Sequence, residues 1–210
     1  YFMCGIAGAV SIRKPSVHVD SIRPMADKIA HRGPDDAGYL FFHTGTKHDK
    51  SVSFYQNLTD VNFRNQELPL PTIESESAQY ELNSHDYDMC FAHRRLSIID
   101  TSYGGHQPMS DLSKNIWVAY NGEIYNFKEL RTELEQCGHK FISDTDTEVL
   151  IYSYVEWGIN CVKKFNGMFA FVLYDNFKKK TFVARDRYGI KPLYYHTTDD
   201  DTFVFASEIK

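Results

Sequence analysis

Residues 1–8 read Tyr1-Phe2-Met3-Cys4-Gly5-Ile6-Ala7-Gly8. Small and apolar residues follow Cys4 at once, which makes a poor surface tail and a good start for a buried strand. The stretch therefore places one thiol beside a chain terminus held inside a fold. A cysteine that opens a mature chain carries two useful groups on adjacent atoms. Its thiolate is a nucleophile, and its free α-amine, with an ordinary pKa near ~7.7–8.0, accepts the thiol proton at neutral pH. Three residues precede Cys4, so this chemistry requires their removal. With them in place the Cys4 nitrogen is a non-basic amide, and the chain is expected to be nearly inactive. Read alone, Cys4 is as well explained as one more small buried hydrophobe; the rest of the chain decides between the two.

The chain has 210 residues, enough for one large domain or two small ones. Its 15 % aromatic content points to a sheet-rich core. A net charge of −5 with scattered basic residues argues against a nucleic-acid partner. The longest apolar run, Met168 to Tyr174, is too short to span a bilayer, and the opening residues carry no secretory pattern. Cys4, Cys90, Cys137 and Cys161 lie far apart, which reads as a reduced, cytoplasmic protein. The histidines show no HxxxH spacing and the cysteines no CxxC spacing, so no metal site is expected.

Gly5 to Arg13 reads as a strand. Val19, Ile22, Met25, Ala26 and Ile29 recur at helical spacing and predict a helix from about Val17 to Ala30. His31-Arg32-Gly33-Pro34-Asp35 breaks it, and Ala37 to Phe42 returns as a strand. Residues 44–88 are rich in Asn, Gln, Ser, Glu and Asp and read as a surface insertion, pinned by Phe54, Tyr55, Phe63 and Tyr80. Strands follow at Met89 to Arg95 and Ile116 to Tyr120, the latter closing on the turn pair Asn121-Gly122. Asn126 with Glu129 reads as a capping box for a helix whose buried face is Phe127, Leu130, Leu134 and Cys137, stopped by Gly138. A second helix spans about Asp146 to Trp157 and ends at Gly158. Met168–Tyr174, Thr181–Arg185, Leu193–His196 and Phe203–Ala206 then read as paired strands. Strands, helices, then strands again define an α+β chain of two antiparallel sheets with helices on their outer faces.

Nine motifs occur in order: MCGIAG from Met3, HRGPD from His31, AHRRLSIID from Ala92, QPM from Gln107, YNGEIYN from Tyr120, DTDTEV from Asp144, GMFAFVLYD from Gly167, ARDRYGIKPLYY from Ala184 and ASEIK from Ala206. Together they resemble the glutaminase half of the asparagine synthetase family. These are class II glutamine amidotransferases of the N-terminal nucleophile hydrolase fold, a four-layer αββα sandwich. The resemblance covers nearly the whole chain apart from residues 44–88.

The resemblance implies that Cys4 attacks the side-chain amide of L-glutamine, that its α-amine shuttles the proton, and that a thioester is hydrolysed to glutamate with release of ammonia. It assigns the oxyanion hole to the side-chain amide of Asn121 and the backbone N–H of Gly122. Arg95 would take the substrate α-carboxylate, for which a planar two-pronged donor is suited. Arg94, its neighbour, would point the other way and read as a surface residue. Asp146 would pair with the α-ammonium, with Glu123 as a second acceptor, and its position also suits a helix N-cap. Leu96 and Ile98 would line the substrate site. His31 and Arg32 read as supporting residues of their loop, and Asp186, Arg187 and Gly189 as a turn with buried polar support.

The family's second half, an ATP-dependent synthetase domain, is expected to be the partner that receives the ammonia. Its phosphate loop is absent here, so ATP and Mg are assigned to that half and no cofactor to this one. The domain is expected to run from 4 to 210, with 1–3 a leader remnant plus start Met. No membrane or nucleic-acid partner is expected, and a homodimer is left open. Two rival readings stand beside the glutaminase: a silent module of the same fold that binds glutamine or a partner domain, and a hydrolase of another amide.

Overall fold

The computed structural model describes residues 3–12, 17, 19–43, 50–55 and 70–210. The chain divides into two compact units, 1–96 with 193–210, and 97–192. Each unit is built on one antiparallel sheet. Among the described residues no helix is long and apolar enough to cross a membrane.

In the first unit the strands are β1 (Gly5–Ser11), β2 (Asp36–His43), β3 (Lys50–Tyr55), β4 (Met89–Arg95), β9 (Tyr194–Thr197) and β10 (Thr202–Ala206). They pair in the order β3-β2-β4-β1-β10-β9. The strand that follows Cys4 is thus central, flanked by β4 and β10. That position explains its composition. Gly8 has no room for a side chain, since a Cβ there would lie 2.5 Å from the Cys90 carbonyl oxygen. Helix α1 (Val19–Lys28) covers one face, packing Ile22 and Ala26 with Ala9, Tyr39, Phe41, Cys90 and Ala92. Each such large apolar side chain contributes about 1.5–3 kcal/mol when fully buried.

The surface insertion expected at residues 44–88 is corrected where the structure describes it. Lys50–Tyr55 is edge strand β3, in register with β2 from Gly38↔Tyr55 to His43↔Lys50. Helix α2 (Glu76–Asn83) is capped by Ser75, whose side chain accepts from Ala78 N–H. Phe54, Ile73, Ala78, Leu82 and Tyr87 are buried in the first core. The reason is spacing. Few apolar residues suffice when each falls on an inward position, and a polar average conceals them. Of the four expected pins, Phe54 serves, Tyr80 is exposed, the Tyr55 side chain is not described, and Phe63 lies outside the described residues.

In the second unit β5 (Met109–Ser110), β6 (Ile116–Ile124), β7 (Gly167–Asp175) and β8 (Lys180–Arg185) pair in that order. Helices α3 (Phe127–Gln136) and α4 (Asp146–Trp157) supply Leu130, Leu134, Val149, Leu150 and Ile151 to its core. Three local expectations change here. Asn126 does not cap α3 with its side chain; its Nδ2 donates to the Lys164 carbonyl and its Oδ1 accepts from Asn166 N–H. Cys137 falls at the end of α3 and is exposed rather than lining the buried face. Asn121-Gly122 is not a turn. β6 continues through both, pairing Asn121 with Ala170 and Gly122 with Phe169. A dipeptide that favours turns is carried extended because β7 supplies a full-length partner.

Candidate functional site

The thiol sits at the mouth of β1. Leu96 N–H donates to Cys4 Sγ at 3.3 Å, and the thiol donates to the Leu96 carbonyl at 3.6 Å. Leu96 follows β4 directly, and β4 is in register with β1 from Gly5↔Arg94 to Val10↔Met89. Strand pairing therefore brings Cys4 to Leu96. Arg95 ends β4 and is buried. Arg94 is corrected from a surface residue to a buried one: its Nε donates to the Ala26 carbonyl at 3.2 Å and it pairs with Asp27. Alternation along β4 then sends Arg95 to the face opposite Arg94.

Arg32 closes the other side of the thiol-bearing segment. It is 5 % exposed, and its Nε donates to the Cys4 carbonyl at 3.0 Å. His31 is exposed and lies 3.0 Å from Glu208 Oε1. Gly33 is required where this loop crosses the end of β4: a Cβ there would lie 2.4 Å from the Arg94 carbonyl oxygen.

In the second unit the notable feature is one edge of β6. On the β7 side, Phe169 is committed to β8: Asp186 N–H donates to its carbonyl and its own N–H donates to Asp186 Oδ2. Phe169 faces Gly122, so the Gly122 N–H is directed to the opposite edge by ladder alternation. Its neighbours on that edge are both occupied. Tyr120 N–H donates to Gln107 Oε1 at 2.8 Å, and Ile124 N–H donates to Asp146 Oδ2 at 3.0 Å. Gly122 lies between them. A side chain there would meet the Met168 carbonyl at 2.5 Å, so only glycine fits. Asn121 is 1 % exposed, and its Nδ2 has no hydrogen-bond partner among the described residues. An amide donor buried without an acceptor costs about 1–3 kcal/mol. Such a cost is tolerated where a ligand supplies the acceptor.

Asp146 does not cap α4; that role falls to Thr145, whose side chain accepts from Glu148 N–H. Asp146 takes instead the Tyr120 hydroxyl at 2.7 Å and the Ile124 N–H, both on Oδ2. Burial raises its carboxyl above the ordinary range, opposed by those hydrogen bonds, and the nearby Glu123 charge pushes the same way as burial. Ile98 is 69 % exposed. Gln107 is a participant for which the sequence suggested no role. Besides holding Tyr120, its Nε2 donates to Thr147 Oγ1 of α4 at 3.3 Å, tying the first turn of that helix to the edge of β6. The motif QPM was visible; the partner of its glutamine was not.

Thus Cys4, Arg95, Leu96, His31 and Arg32 belong to the first unit, and Ile98, Asn121, Gly122, Glu123 and Asp146 to the second. The first unit thus holds a thiol bracketed by backbone, and the second a buried strand edge with an unspent amide donor.

Comparison with solved structures bears on the fold. The fold is shared with the glutamine phosphoribosylpyrophosphate amidotransferase of Bacillus subtilis, at a TM-score of 0.68 and 24 % identity, over 98 % of this chain and 42 % of that one. It is also shared with a glutamine aminotransferase class-II domain protein of Silicibacter pomeroyi, at a TM-score of 0.54 and 9 % identity, over 99 % of this chain and 87 % of that one. The chain belongs to the family of glutamine amidotransferase domains, which matches residues 78–210. Among curated proteins it is 35 % identical to asparagine synthetase [glutamine-hydrolyzing] 3 of Bacillus subtilis, over 99 % of this chain and 27 % of that protein. It is equally 35 % identical to a putative asparagine synthetase [glutamine-hydrolyzing] 2 of Methanocaldococcus jannaschii, over 99 % of this chain and 34 % of that protein. The chain therefore spans about a quarter to a third of these relatives.

Proposed function

We propose that this domain hydrolyses L-glutamine to glutamate and ammonia, and that in the whole protein the ammonia passes to an ATP-dependent, asparagine synthetase-like domain. The relatives' names and the share of their length matched support the second part. In the first part, the Cys4 thiolate adds to the amide carbon of glutamine while its α-amine holds the thiol proton. The tetrahedral intermediate places negative charge on the former carbonyl oxygen, facing Asn121 Nδ2 and Gly122 N–H. Its collapse breaks the C–N bond, the α-ammonium returns the proton to the leaving nitrogen, and ammonia departs. Water then cleaves the thioester by the same route. Arg95 binds the substrate α-carboxylate and Asp146, with Glu123, its α-ammonium; Leu96 and Ile98 border the substrate. The reaction calls on no cofactor. All four cysteines are free, which suits a reducing, cytoplasmic setting.

The observation that carries this reading is the buried, unspent Nδ2 of Asn121 beside the edge-directed Gly122 N–H. Asn121→Ala is expected to lower kcat for glutamate release about 10²–10³-fold with little change in KM, because one oxyanion donor is lost. An unchanged kcat would remove Asn121 from the mechanism. Arg95→Ala is expected to act on KM instead, since the α-carboxylate contacts are made in ground and transition state alike. Equal turnover by Arg95→Ala and wild type at sub-saturating glutamine would exclude the carboxylate role. The silent-module reading predicts glutamine binding with no glutamate release even when Cys4 is the first residue.

A further inference from the structure

We propose that Glu208 is a positioning residue for the nucleophile: its carboxylate fixes the Arg32 guanidinium, and Arg32 in turn fixes the main-chain carbonyl of Cys4. The inference rests on the reading of Cys4 as the nucleophile and extends it to the far end of the sequence.

The segment after β10 runs back along the strand that Cys4 opens. Ser207 N–H donates to the Ile6 carbonyl at 2.8 Å, and Ile6 N–H donates to Ser207 Oγ at 3.0 Å. Those two bonds place the next residue, Glu208, at the start of β1. Its Oε1 accepts from Arg32 Nη1 at 2.9 Å and lies 3.0 Å from His31 Nε2, while Oε2 accepts from Lys210 Nζ at 2.6 Å. Burial alone would raise the Glu208 carboxyl; hydrogen bonds from Lys210, Arg32 and His31 outweigh it and hold the group down to about 2. Glu208 is therefore anionic wherever the protein works.

Arg32 touches the main chain on both sides of the thiol residue. Its Nε donates to the Cys4 carbonyl at 3.0 Å, and its own carbonyl accepts from Met3 N–H at 3.0 Å. A guanidinium is a rigid plane, so an anchor on Nη1 sets the direction of Nε. The anchor matters more than usual here, because Arg32 is buried and its Nη2 has no partner among the described residues. Without Glu208 the buried cation would lack its counter-charge as well as a second acceptor. Losing that orientation frees the Cys4 carbonyl, and the Cys4 backbone rotates relative to its side chain. The α-amine and Sγ must face one another for proton transfer, and a misplacement of about 1 Å can cost about 10²-fold. His31 and Lys210 reach Glu208 from the exposed side and form weaker, solvent-screened contacts.

The test uses the chain with Cys4 as its first residue. Glu208→Ala is expected to lower kcat roughly 10²-fold with KM within about threefold. Glu208→Gln, which keeps an acceptor oxygen for Arg32 but not the counter-charge, should recover part of that loss. Glu208→Asp withdraws the carboxylate by one methylene and should fall below Glu208→Gln, which keeps the comparison available if Glu208→Ala does not fold. The double variant Arg32→Ala/Glu208→Ala should be no slower than Arg32→Ala alone. Additive losses, or Glu208→Asp equal to wild type, would overturn the proposal. If wild type releases no glutamate, the glutaminase reading fails by itself. The pH profile of Cys4 alkylation by iodoacetamide then still decides: a profile shifted in Glu208→Ala supports the proposal, and one identical to wild type overturns it.

Discussion

A chain whose first residue is Cys4 is expected to release glutamate from glutamine about 10²–10⁴-fold faster than one retaining Met3, the range by which a positioned general base accelerates a reaction. The difference is chemical rather than conformational. In the longer form the Cys4 nitrogen is part of a peptide bond, and the structure has Met3 N–H already spent on the Arg32 carbonyl. A thiol alone is a few per cent ionised at neutral pH, so attack is not forbidden. What is missing is the group that takes the thiol proton and returns it to the departing ammonia. Freed, the same nitrogen becomes an amine whose ordinary pKa near ~7.7–8.0 suits both tasks. Glutamate release and the mass of the N-terminus, measured on both forms, check this. Equal rates would show that the terminal amine is not the base and would require another proton acceptor.

The largest stability effect is expected at Asp186. Its carboxylate accepts from four backbone N–H groups, those of Phe169, Tyr188, Ile190 and Lys191, at 3.0–3.2 Å. It thereby organises the turn after β8, where Gly189 adopts φ +63°. Asp186→Ala removes every one of these acceptors while the residue's site stays buried. Charge-assisted bonds of this kind contribute about 1.5–3 kcal/mol each and are not additive, so a loss of about 4 kcal/mol is expected. For a domain of this size that lowers Tm by roughly 10 °C or more. The pH dependence has a definite sign. Burial would raise the carboxyl, but the backbone donors outweigh it and hold it below its ordinary value. Its stabilisation is therefore complete above the ordinary carboxylate pKa and declines as pH falls below it. Wild type and Asp186→Ala should differ most at neutral pH and converge in acid. A Tm unchanged at pH 7 would refute this account. The variant should also slow turnover, because Asp186 turns Phe169 toward β8 and leaves the Gly122 N–H for the other edge of β6.

Local signals in the chain were sufficient for several elements. The stretch Met89 to Arg95 reads directly as β4, and the apolar run from Met168 as β7. Gly138 and Gly158 end their helices at positive φ, which glycine adopts without a Cβ penalty. These features depend on near neighbours, so periodicity and turn chemistry reveal them. The order of nine short motifs was enough to indicate the family, which the comparison then established.

Long-range partners were out of reach. The burial of Arg94 depends on where α1 crosses β4, and the extended path of Asn121-Gly122 depends on β7. Asp146 looks like a helix cap until β6 offers it Tyr120 and Ile124. Gln107 and Glu208 carry no local mark of their roles, because those roles consist wholly of partners on other elements. Residues 50–55 and 70–88 seemed superficial because their apolar positions are sparse, and only packing shows that those few point inward. Local patterns in the chain marked most of its strands and helices and singled out Cys4, Asn121 and Gly122 as a candidate nucleophile and its donors. Which polar groups were spent on the fold and which were left over was set by packing, because a hydrogen bond's second partner is fixed by pairing across the sheet and not by neighbours along the chain.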